Sequence, residues 1–189
     1  MKHDDGMHDL ALLVTRSVLG ASIAAHGAQK LFGWFEGPGP GGTAQMMQHL
    51  GFTPGDRFAR LVSLSEIGAG ALIATGTGGP LGPALLLGVM GTAVGSVHLK
   101  NGYWNQNQGY ELNTMYGLLA LLLAVEGHGR LSVDAVTGLR GKVKPIVGWL
   151  ALAAAGAGAA YVLSRRTQQE QPATTSEHGT IDAPSHAPA

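Results

Sequence analysis

Long apolar runs constrain this chain more than any other feature. LALLVTRSVLGASI and MYGLLALLLAV are the clearest, and each sits inside a stretch that approaches membrane-crossing length. A helix that crosses a bilayer needs about 20 predominantly apolar residues. Of the 189 residues 45% are hydrophobic and 13% are charged, whereas soluble domains carry about a quarter charged residues. The sequence therefore predicts an all-α integral membrane protein. Formal net charge is zero, so no bulk field argues for nucleic acid. The absence of cysteine excludes disulfides, thiolate metal sites and persulfide chemistry on this chain.

The spans can be placed from breakers and aromatic residues. Residues 1–9 form a polar N-terminal segment that lacks the positive charge of a secretory signal, and Arg16 interrupts the run that follows, so cleavage is not expected. The first span is predicted at about 10–32, carrying Arg16, His26, Gln29 and Lys30, and a glycine- and proline-broken loop follows it. The second, at about 58–75, has Glu66 near its centre and ends at the breaker TGTGGPLGP. The third, at about 81–99, contains Gly91-x-x-x-Gly95, a spacing that lets helices approach closely. Tyr103, Trp104 and Tyr110 mark the following loop as interfacial. A fourth span is predicted at about 110–127. A basic linker at 138–145 leads to a fifth stretch at 146–163, weak for its length because Ala and Gly contribute little transfer energy. The tail at 164–189 is rich in Thr, Ser, Pro and Gln and is expected to be disordered. A four-helix membrane bundle with a fifth, C-terminal membrane helix results.

Successive spans run in opposite directions, so His26, Gln29, Lys30, His98 and Glu111 fall at one membrane face. Arg16, Glu126 and Arg130 fall at the other. At 1.5 Å per residue Glu66 lies about 12 Å inside Phe58, and His26 lies about 9 Å inside Phe32. Arg16 is about 15 Å further along the first helix. His26 or Lys30 is therefore the better partner for Glu66. Arg16, Ile23, His26, Gly27 and Lys30 also share a sector of about 100°. A stripe that mixes glycine with ionisable groups belongs against other helices, because a charge in lipid costs at least about 2.5–3.5 kcal/mol. The bland readings are a buried structural pair at Glu66 and snorkelling of Lys30, His98 and Arg16 to the headgroups. The histidines lack paired ligand spacing, and no metal site is expected.

The residues H26-G-A-Q-K-L-F-G33, the Glu66-I-G-A-G70 helix, Met90 and G127-H-G-R-L-S-V-D134 together resemble the DoxX family, in the right order and over about residues 10–137. The resemblance implies a compact four-helix bundle in the cytoplasmic membrane with its N-terminus on the cytoplasmic side. Relatives of this kind include DoxD, associated with thiosulfate:quinone oxidoreductase, and members linked to quinone, catechol and oxidative-stress pathways. The fifth stretch and the tail depart from the simple pattern.

The leading functional expectation is the membrane subunit of a quinone-linked oxidoreductase or redox/stress-response complex. His26, Lys30 and Glu66 are the candidates for proton transfer and quinone polarisation, since histidine exchanges protons near neutrality and a lysine stabilises oxyanion charge. Gln29, His98, Trp104 and Glu111 are the candidates for the quinone or substrate cleft. The sequence has no flavin, haem or nicotinamide fingerprint, so electrons are expected from a redox-enzyme partner subunit or a bound substrate. A homo-oligomer is the other partner considered besides the lipid bilayer. Two alternatives stay open: a non-enzymatic membrane scaffold for redox proteins and a small-molecule permeation protein.

Overall fold

The apolar runs fold as helices whose contacts are made through small residues. The computed structural model describes residues 4–142 and 145–166. Helix α1 runs Asp4–Phe32, and Gly33 ends it in the left-handed conformation at φ 74°, donating back to the Gln29 carbonyl. The polar segment read at 1–9 thus supplies the first turns of α1. Asp9 is buried there and accepts from the Arg130 backbone amide at 2.8 Å and from its side chain. The tail read as disordered lies outside the described residues from 167 onwards.

The loop after α1 holds a helix that the sequence pattern hid. Helix α2 spans Gly39–His49 inside GPGPGGTAQMMQHL. Proline lacks only an amide that a first turn leaves unpaired anyway, so Pro38 at the N-cap and Pro40 in the first turn start this helix. Thr43, fully buried, donates to the Lys30 carbonyl at 3.1 Å. That carbonyl belongs to the unpaired last turn of α1. Helix α2 therefore caps α1 at the residue that carries the site.

Helix α3, Gly55–Thr75, packs along α1. At their crossing a Cβ on Gly20 would stand 2.5 Å from the Gly70 carbonyl oxygen, and one on Gly70 would stand 2.4 Å from the Gly20 oxygen. Only glycine permits this approach. Helix α4, Leu81–Ala93, continues through a wide π-type turn, Val94–His98, and a short 3₁₀ turn, Leu99–Asn101. Helix α5 spans Glu111–Glu126, α6 is the single turn Val133–Val136, and α7 spans Pro145–Ser164. Leu19, Ile23, Ile73, Leu86 and Leu123 form the main core where α1, α3, α4 and α5 meet.

By length and composition, four helical segments among the described residues can cross a membrane: Gly6–Phe32, Gly55–Thr75, Leu81–Asn101 and Ile146–Ser164. The stretch that looked weakest in the sequence is one of them. Helix α5 has 16 residues, about 24 Å of rise, which is short against a hydrocarbon core of about 30 Å. It nevertheless connects the two ends of the bundle. The Glu111 amide donates to the Tyr103 carbonyl at 2.9 Å at one end, and Glu126 stands 3.7 Å from His8 at the other. Its exposed residues Leu118, Leu121, Leu122 and Val125 form an apolar outer face suited to lipid.

The glycine spacing in α4 serves contacts within the chain. A Cβ on Gly88 would lie 3.2 Å from the Ala155 oxygen, one on Gly91 3.9 Å from Ala159 Cβ, and one on Gly95 2.7 Å from Leu163 Cδ1. The small residues that weaken α7 as a hydropathic span are those that seat it on α4.

Candidate functional site

The α1–α3 crossing fixes the central pair. Lys30 Nζ donates to Glu66 Oε1 at 2.8 Å and to Oε2 at 2.6 Å. The Glu66 side chain is 8% exposed and that of Lys30 21%. Both carboxylate oxygens are thus engaged by one ammonium, which retains a third N–H. His26, one turn back on α1, is within electrostatic reach of Glu66, and its Nδ1 lies 3.2 Å from Gln29 Oε1.

The pair stands in the wall of a cavity of about 570 Å³. Such a volume lies in the range of about 300–1,000 Å³ used by small-molecule sites. The walls are mainly apolar: Ile23 from α1, Met47 from α2, Val62 from α3, Val89 from α4 and Tyr116 from α5. Helix α7 supplies Ala154, Ala155, Gly158, Ala159 and Val162. Its far end is held where the Arg166 side chain donates to the Leu50 carbonyl at 2.7 Å. Polar atoms enter at few points. They include those of His26, Lys30 and Glu66 from α1 and α3, and of Ser96, His98 and Asn113 from the α4–α5 side. The π-type turn brings Ser96, Val97 and His98 together onto this wall, and such turns recur at functional sites.

Of the seven residues singled out from the sequence, His26, Lys30, Glu66 and His98 line the cavity. His98 Nδ1 is 2.7 Å from the Gln108 carbonyl oxygen, which orients its ring. Gln29, Trp104 and Glu111 lie outside the lining. Gln29 turns to His26, and Glu111 accepts from the Asn105 amide at 2.9 Å, organising the loop. Trp104 is 60% exposed and stacks edge-on against Tyr103. Asn113 was missed. Its amide donates towards Met90 Sδ at 3.5 Å inside the cavity wall. An amide in the first turn of α5, just before its apolar run, is the signal that pointed to it.

The opposite end of the bundle is a structural lock. Arg16, 2% exposed, donates to the carbonyls of Ala74 and Leu131. Ala74 is in the last turn of α3, where unpaired carbonyls favour a cation. Asp134 accepts from the amides of Gly78 at 3.1 Å and Gly79 at 2.9 Å, fastening the α3–α4 turn. Ser132 accepts from the Ala135 amide at 3.3 Å and so caps α6. His128 packs in the same lock with Nδ1 3.8 Å from Asp134 Oδ2. Burial pushes its imidazole below the usual histidine range, against the opposing pull of Asp134.

Fold and site define a helical multi-pass membrane protein with a charged pair facing a mainly apolar, partly open cavity. Residues 11–99 match the model of the DoxX family, so this part of the membrane protein is a DoxX-type domain. The matched part runs from α1 through α4 and contains His26, Lys30, Glu66 and His98. Helix α5, the GHGRLSVD lock and α7 lie beyond it. No curated protein and no solved structure matches the chain significantly.

Proposed function

We propose that the cavity binds a lipophilic ring compound of the quinone–quinol class. In this reading the protein is the membrane subunit of a quinone-linked oxidoreductase or redox/stress-response complex, in the cytoplasmic membrane with its N-terminus cytoplasmic. The observation that carries this reading is the buried Lys30–Glu66 pair in the wall of an otherwise apolar cavity. A quinone needs such a site: apolar surface for ring and tail, and a donor or proton carrier at each oxygen. The residues present fit that requirement, with Lys30 and His26 from α1 and His98 and Asn113 from the α4–α5 side.

Each residue then has a chemical task. The N–H that Lys30 has left over after its two bonds to Glu66 stabilises negative charge at a ligand oxygen. His26 gives or takes a proton at the same end, and Glu66 relays it or orients the ammonium. His98 serves the far oxygen, its ring held by the Gln108 carbonyl. A bound quinone supplies the two-electron couple. The chain has no cysteine and no flavin, haem or nicotinamide fingerprint, so in this reading electrons come from a partner or from the substrate itself.

The test is binding of a short-chain ubiquinone or menaquinone analogue to the protein in nanodiscs. The wild type binds, and His26→Ala weakens binding about tenfold. A second variant guards against misfolding. Gly158 lines the cavity and a Cβ there meets nothing within 4 Å, so Gly158→Leu fills the space while favouring the helix by up to about 1 kcal/mol. This variant keeps its melting temperature and loses binding. No binding of either analogue by wild-type protein overturns the reading.

A further inference from the structure

A second cleft, of about 1230 Å³, opens at the opposite end of the bundle between the C-terminal half of α5 and the first turns of α7. Both helices pack on α4, which leaves this groove between them. Its sides are apolar: Leu121 and Val125 from α5, and Trp149 and Leu152 from α7. Val125 is 77% exposed and Trp149 71%, on the outer faces of helices that meet lipid. The rim is of different chemistry, with Arg130 and Arg140 at the mouth.

The acidic groups of the lining are engaged elsewhere. Asp134 is bonded to two backbone amides, and Glu126 stands beside His8. Arg130 is paired with Asp9, and Arg140, within electrostatic reach of the same carboxylate, makes no salt bridge among the described residues. Helix α7 begins at this mouth, with Gly148 and Trp149 in the lining and no acidic residue in its first turn. The positive end of its dipole therefore points to the mouth. A guanidinium outside any salt bridge and the positive end of a helix thus stand at the head of an apolar groove.

We propose that this cleft holds an anionic phospholipid, its phosphate between Arg140 and the start of α7 and one acyl chain along the groove between α5 and α7. A soluble anion would leave the apolar walls empty, whereas a phospholipid satisfies both ends of the cleft. Basic pockets between membrane helices bind acidic lipid headgroups on these terms. The assignment is independent of what the central cavity binds.

Trp149 reports on the site directly. Trp34 and Trp104 are the other two tryptophans. The full chain carrying W34F and W104F goes into phosphatidylcholine nanodiscs containing a minor fraction of brominated phosphatidylglycerol, or the same fraction of brominated phosphatidylcholine. The phosphatidylglycerol quenches Trp149 at least twofold more strongly, and Arg140→Gln lowers it to the phosphatidylcholine level with melting unchanged. Excess inorganic phosphate leaves the preference intact. Equal quenching by the two lipids, or a preference that survives Arg140→Gln, overturns the assignment. Reversal by phosphate also overturns it, in favour of a soluble anion.

Discussion

Cutting the Lys30–Glu66 pair on one side should cost far more than removing both partners. At an effective dielectric of about 20, unit charges about 3 Å apart attract by about 5–6 kcal/mol. Desolvation of two charges offsets much of this, so the net worth of the pair is small, yet a lone buried partner costs about 3–5 kcal/mol. The structure ranks the two single changes. Lys30→Met leaves a carboxylate whose side chain is 8% exposed, whereas Glu66→Gln leaves an ammonium that is 21% exposed. Lys30→Met is therefore expected near the upper end of that range and Glu66→Gln near the lower. The double variant Lys30→Met/Glu66→Gln is expected to be no less stable than Glu66→Gln alone, a coupling of at least about 3 kcal/mol. Titration with dodecyl sulfate in mixed micelles, followed by circular dichroism, reads all of these on one scale. Additive losses would refute the argument, as would single losses under about 0.5 kcal/mol, the size of an ordinary surface change.

Gly70→Ala places a methyl 2.4 Å from the Gly20 oxygen and 2.5 Å from the Ala24 amide. Neither backbone atom can yield, so α1 and α3 separate; about 1–3 kcal/mol is lost in the same titration. Asp134→Asn keeps one acceptor for two amides, and the α3–α4 turn should weaken by about 1–3 kcal/mol, visible as faster hydrogen exchange at Gly78 and Gly79. His128 has its pKa lowered by burial, so the unfolded chain binds a proton at higher pH than the folded one. Its contribution is therefore complete above about pH 6.5 and is lost as pH falls from there towards the depressed folded value. Unfolding midpoints between pH 5 and 8 should show that slope, and His128→Gln should flatten it.

How much of the site could be read from the sequence depends on how local each contact is. Hairpin parity and helical rise are properties of the chain itself, and they bring Lys30 to the depth of Glu66 while leaving Arg16 at the far end. They do not give side-chain direction. Gln29, Trp104 and Glu111 share the cavity's face but turn to near neighbours in sequence, a choice made by contacts of a few residues' span. Helix α2 was hidden because GPGPGG reads as a breaker, although proline in a first turn costs a helix nothing.

The sequence by itself determined that this chain lives in a bilayer, that its spans are helices, and that His26, Lys30 and Glu66 lie level. Apolar run length, breakers and a fixed rise per residue are enough for that. Only the tertiary structure decided that Lys30 rather than His26 takes the carboxylate, because that depends on the rotation of α1 against α3 set by Gly20 and Gly70. Tertiary structure also decided the role of the fifth helix. Its glycines and alanines read as a weak span, and only the fit of Ala155, Ala159 and Leu163 against α4 makes it a wall of the cavity. Close packing is a relation between two surfaces, and one run of residues specifies only its own side.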